Sequence, residues 1–124
     1  MEERNRASLG ASHRLIEAGI VLETEAVWRL SQWGLGQKEP YAELMSKYRA
    51  RDFQQADKGN NNIMAMHYPA PSMAEVWREL PEGTRLYRGK SRHYAYMQND
   101  GEGQVDVNPI DALIDLLIWV RKEK

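Results

Sequence analysis

A chain of 124 residues, 42% hydrophobic and 28% charged, has the size and composition of one globular domain and is long enough to bury a core without disulfides or metals. Its 17 basic and 18 acidic residues leave a formal net charge of -1, which excludes a global pull toward nucleic acid or anionic membrane, so binding of either kind needs a local patch. The lack of cysteine removes disulfide frameworks, thiolate zinc sites and cysteine nucleophiles together, and fits a reducing compartment.

The segment from Met1 to His13 is charged and has no apolar core of the kind a signal peptide carries. Residues 1–7 are expected to fray. A short helix is expected over Ser12 to Ala18, capped by Ser12. Leu15 and Ile16 would face inward, and Gly19 followed by Ile20 forms its C-terminal stop. Thr24 to Ser31 reads as a strand, with Ala26, Trp28 and Leu30 on one face and Glu25 and Arg29 on the other. Trp33, Gly34 and Gly36 mark a turn.

After Pro40, the stretch Tyr41 to Ala56 has a loosely helical stripe of Leu44, Met45, Tyr48 and Phe53. Lys58 to Asn62 is the clearest loop and separates two halves of the domain. Ile63 to Tyr68 is expected to be a short extended segment, and Pro69 and Pro71 are expected to forbid regular pairing after it.

Ser72 and Glu75 form a capping-box pattern at the start of a helix. Its apolar stripe is Met73, Val76, Trp77 and Leu80, and Pro81 and Gly83 end it. Thr84 to Arg88 and His93 to Gln98 read as strands joined around Gly89 to Arg92. Asn99 to Gly103 is a turn by composition, and Gln104 to Val107 supplies a third strand. Asn108 then caps a final helix with Pro109 at its first position. Leu113, Leu116, Leu117 and Val120 line one face of that helix, widened by Ile110 and Trp119. Asp111 and Asp115 interrupt the apolar run Ile110 to Val120, which is shorter than the roughly 20 residues a membrane span needs. The expected location is the cytoplasm, away from any membrane.

The expected class is therefore α+β: a small antiparallel sheet, made of a C-terminal three-stranded meander plus one or two N-terminal strands, packed by two or three helices. The stretches Ala70 to Pro81, Asp111 to Trp119 and Arg14 to Ile20 resemble a group of small proteins of gut Bacteroidales, some of them carried on phage-like or mobile elements. The resemblance covers most of the chain and leaves out Gln32 to Met66. That group has no established activity, cofactor or catalytic residue, so the resemblance implies a shared fold and carries no mechanism.

Few constellations carry chemistry. His13, His67 and His93 show no metal-ligand spacing and read as solvated or locally bonded. Asp111 and Asp115, at i and i+4, share a helix face that suits Mg²⁺ or acid–base work. The plainer reading puts Asp111 in the dipole-favoured first turn and Asp115 on the solvent face. No glycine-rich phosphate loop and no nucleophile elbow occurs, so no cofactor and no catalytic residue is assigned.

The most suggestive segment is Arg85 to Tyr96, where Arg85, Arg88, Lys90 and Arg92 interleave with Tyr87, Tyr94 and Tyr96 without an acidic residue. If Tyr94 and Tyr96 face outward with Arg85, they make a binding face for phosphates and bases; if they face the helices, they are core. Of the tryptophans, Trp77 and Trp119 read as core, and Trp33 is the one expected to be exposed at an interface. The sequence ranks three functions: a non-enzymatic interaction module that binds a protein partner or itself, a nucleic-acid-binding accessory protein, and a small enzyme assembled from distant residues.

Overall fold

A computed structural model describes residues 5–33, 39–59, 63–98 and 103–123, without the side chains of Trp33 and Glu123. The α+β class holds, built from four helices and two three-stranded antiparallel sheets. The expected N-terminal strands do not join the C-terminal meander. They make a sheet of their own.

Helix α1 spans Leu9–Glu17. It starts one turn before the expected cap: the Ser8 hydroxyl accepts from Ala11 N–H, and Ser12 is buried inside the helix. Its end follows the sequence. Gly19 takes a φ of 75°, Gly19 N–H donates to Ile16 O, and Ile20 N–H donates to Leu15 O. This pairing satisfies two orphan carbonyls and brings Ile20 and Leu15 together in the core. Ile16, on the opposite side, is exposed.

The first sheet has the order β2-β1-β3, with β1 Ala26–Trp33, β2 Tyr41–Ser46 and β3 Ile63–Pro69. Leu44, Trp28 and Tyr68 lie side by side across one face, and the Trp28 indole N–H donates to Ala7 O at 2.8 Å. The expected helix over Tyr41 to Ala56 is therefore a strand followed by α2, Lys47–Asp57. Ser46 marks the junction: its hydroxyl caps the helix by accepting from Arg49 N–H. Strand wins over helix in 41–46 because β1 offers an unpaired edge there.

Helix α2 covers the second face of this sheet, so Arg29 is buried rather than solvated. Pro69 is tolerated because β3 is an outer strand. Ala70 N–H reaches Ala26 O, so the donor that Pro69 lacks would point away from β1. Since β3 pairs with β1, the first sheet closes across the 58–59 turn, and the chain passes to the second sheet at 70–72. Asn60 to Asn62, the remainder of the expected loop, lies outside the described residues, as do Gly34, Gly36 and 99–102 of the expected turns.

Helix α3 spans Met73–Trp77 and carries the full capping box of Ser72 and Glu75. The meander follows as β4 Thr84–Arg88, β5 His93–Met97 and β6 Gly103–Asp106. The last helix, α4, spans Pro109–Glu123, and the Asn108 side chain accepts from Ile110 N–H at 2.8 Å. It is the spine of the main core: Ile110, Leu113, Ile114, Leu116 and Leu117 are buried with Leu15, Val76 and Ala95. Each buried leucine, isoleucine or valine among them contributes roughly 1.5–3 kcal/mol.

Residues 6–8, just before α1, are not frayed, and residues 1–4 of the expected tail lie outside the described residues. Ala7 is buried and donates to Pro71 O at 2.9 Å, Arg6 pairs with Glu75 at 3.0 Å, and Ser8 N–H donates to Asp111 Oδ1 at 3.0 Å. These bonds hold residues 6–8 between the first sheet, α3 and α4. Among the described residues no helix is long and apolar enough to cross a membrane.

Candidate functional site

The meander alternates cleanly. Thr84, Leu86, Ala95 and Met97 face α4, while Arg85, Tyr87, Tyr94, Tyr96 and Val105 face outward. Register places Tyr87 opposite Tyr94, Arg85 opposite Tyr96, and Tyr94 opposite Val105. The three tyrosines form one patch, with 60%, 40% and 37% of Tyr87, Tyr94 and Tyr96 exposed. The rings of Tyr87 and Tyr94 are tilted, with centroids 6.0 Å apart. A Cβ on Gly89 would meet the Tyr94 ring at 2.9 Å, so the ring lies over the Gly89 backbone, where any larger residue would displace it. Gly89 N–H donates to Arg92 O at 2.8 Å and closes the hairpin.

Cations frame this patch. Arg88 ends β4, and Lys90 and Arg92 lie in the hairpin loop, all exposed. Arg85 donates to Thr84 O and Gln98 Oε1, both neutral. Among the described residues none of the four makes an ion pair, whereas Arg6, Arg14, Arg29, Arg49 and Arg121 each lie against a carboxylate. Exposed Val107 extends the patch beyond Val105, a widening that the sequence reading did not anticipate. The Trp33 backbone pairs with Ile63 in the first sheet, and its side chain lies outside the described residues.

The other candidates are taken up by structure. The Asp111 carboxylate is buried and accepts from Ser8 N–H. Burial pushes its pKa above the usual carboxylate value; the bonds from Ser8 oppose this, and Asp106 adds to it. Asp115 pairs with Arg14 at 3.0 Å, so both carboxylates fasten α1 to α4. His13 pairs with Glu17 at 2.7 Å, and His93 Nδ1 lies 3.0 Å from Val107 O. Among the described residues no three His, Cys, Asp or Glu side chains are placed to hold a metal.

A second polar cluster lies under α2. The Arg29 guanidinium stacks 4.3 Å over the Phe53 ring and pairs with Asp57 at 3.1 Å, while its Nε is buried without a partner. His67 sits opposite Arg29 in the register, and its Nε2 is likewise buried without a partner. Burial lowers the His67 pKa, Arg29 lowers it further, and Asp57 opposes both.

Trp77 corrects the sequence reading: it is 44% exposed rather than core. A helix of five residues has room for one deeply buried position, and Val76 occupies it. With Met73, Trp77 lines an open groove against β4. Comparison with protein-family models, curated proteins and solved structures finds no match to this chain.

Proposed function

We propose that the chain is a binding module whose working surface is the outer face of β4, β5 and β6, and that its ligand is a single-stranded nucleic acid. The observation that carries this reading is that Tyr94 and Tyr96 face outward with Arg85 and Tyr87, beside cations that no described carboxylate neutralises. Aromatic faces stack unpaired bases of any sequence, and cations at the rim follow the phosphates. The net charge of -1 supplies no long-range attraction, so the affinity is local and modest. A module of this kind would act as an accessory protein in the cytoplasm.

A protein partner on the same face is the second reading. Exposed Val105 and Val107 favour it, because aliphatic side chains give bases no stacking surface.

The test is fluorescence anisotropy with labelled ten-nucleotide single strands and the matching duplex. The expected result is preference for the single strand, weakened at least fivefold by Tyr94→Ala or Tyr96→Ala in a protein that remains folded. Equal binding of duplex and single strand, or no effect of either tyrosine, overturns the nucleic-acid reading.

A further inference from the structure

The free edge of β4 carries a second surface. β4 is an outer strand: β5 pairs with one side, and no described strand pairs with the other. The bonds at the two ends of the ladder fix which groups point outward. Gln98 N–H donates to Gly83 O at 2.8 Å, and Gly89 N–H donates to Arg92 O at 2.8 Å. Every second residue between them repeats that pattern, so Arg85 and Tyr87 turn their N–H and C=O toward β5. Thr84, Leu86 and Arg88 turn theirs away. Thr84 O already accepts from the Arg85 side chain, which leaves Leu86 and Arg88 as pairing positions. An outward row of this kind is a template for an added strand.

The groove between α3 and β4 runs along this edge. Met73, Trp77 and Leu86 supply its apolar lining, Arg78 and Arg85 flank it, and among the described residues no carboxylate lines it. We propose that the edge takes an extended segment of a partner protein as an added strand, with one apolar side chain in the Met73–Trp77–Leu86 groove and acidic side chains against Arg78, Arg85 and Arg88. Backbone pairing would supply affinity, and the groove and the arginines would supply selectivity. The cations argue for a foreign acidic segment over a second copy, because two such edges would bring Arg85 and Arg88 of both copies together. This surface shares Arg85 and Arg88 with the tyrosine reading, but its ligand lies along the strand edge and the α3 side instead of on the sheet face, so each reading can fail without the other.

The test uses the full ¹⁵N-labelled chain and a capped seven-residue peptide that alternates glutamate with valine about a central leucine. Its controls are the same peptide with lysine for glutamate and a version N-methylated throughout. The expected result is chemical-shift change and slowed exchange at the Leu86 and Arg88 amides, with the acidic peptide bound at least tenfold more tightly than either control. Trp77→Ala and Arg78→Glu should each weaken it at least fivefold; Arg78 is exposed, so its variant retains the fold if the tryptophan variant does not. Equal binding of the three peptides, absence of change at Leu86 and Arg88, or shifts centred on Tyr87, Tyr94 and Tyr96 overturns the proposal. So does a dimer of the chain alone that Arg78→Glu disrupts.

Discussion

The charge around the tyrosine patch makes a quantitative prediction. Arg85, Arg88, Lys90 and Arg92 have no carboxylate to compete with phosphate among the described residues, so each is free to displace a counterion from a single strand. At about 0.7 counterion per phosphate contact, four contacts give a slope near -2.8 for log affinity against log salt. Between about 50 and 200 mM salt the affinity should then fall about 50-fold. A triple variant, Arg88→Ala with Lys90→Ala and Arg92→Ala, keeps Arg85 alone, and its slope should fall to about -0.7, a loss of about threefold over the same range. Loss of Tyr94 should behave differently. Its stacking is worth about 1–3 kcal/mol at every salt concentration, so the line shifts down and keeps its slope. Anisotropy titrations at four or more salt concentrations separate the two effects. A triple variant with the parent slope would refute the assignment of these cations to phosphates, whatever its affinity.

Further outcomes follow from particular contacts. Gly89→Ala places a Cβ 2.9 Å from the Tyr94 ring, so it should weaken single-strand binding severalfold at unchanged salt slope; unchanged affinity would show that the ring position does not matter. Beneath α2, Asp57→Ala leaves the buried Arg29 guanidinium without its carboxylate and should cost about 3 kcal/mol in denaturant unfolding. Arg29→Met keeps the packing on Phe53, removes the unpartnered Nε and leaves the less buried Asp57 carboxylate nearer to water, so it should cost less than Asp57→Ala; equal losses in the two variants would contradict this account. At Asp111 the folded pKa is raised above its usual 3.8, so in the window above 3.8 the native state binds more proton than the unfolded chain. The stability of the parent relative to Asp111→Asn should therefore rise as pH falls through that window and be lost as pH rises out of it. A flat difference between the two unfolding profiles would dispose of the idea.

Local chemistry was legible in the chain wherever a few neighbouring residues decide the structure. The Ser72–Glu75 capping box, the Gly19–Ile20 stop and the Asn108–Pro109 helix start each depend on hydrogen bonds or φ values within about five residues, and the two hairpin strands pair across a short loop. The cluster of cations and tyrosines in Arg85 to Tyr96 was visible for the same reason. Alternation sorted those side chains onto two faces, but it does not say which face meets the helices. That choice belonged to α4, whose Leu113, Leu116 and Leu117 pack on the Ala95 side and leave the tyrosines outside.

Longer-range decisions were hidden in the same way. Tyr41 to Ser46 became a strand because β1 supplied hydrogen-bond partners for it, and no local preference records that. Arg29 was buried by a helix that begins at residue 47 and meets it through Phe53 and Asp57. Trp77 went to the surface because Val76 filled the single deep position of α3. The chain by itself determined its turns, caps and hairpin, where the energy lies between near neighbours. Packing between distant segments decided which faces were left to bind something else, because burial is settled by whichever element arrives to cover a face.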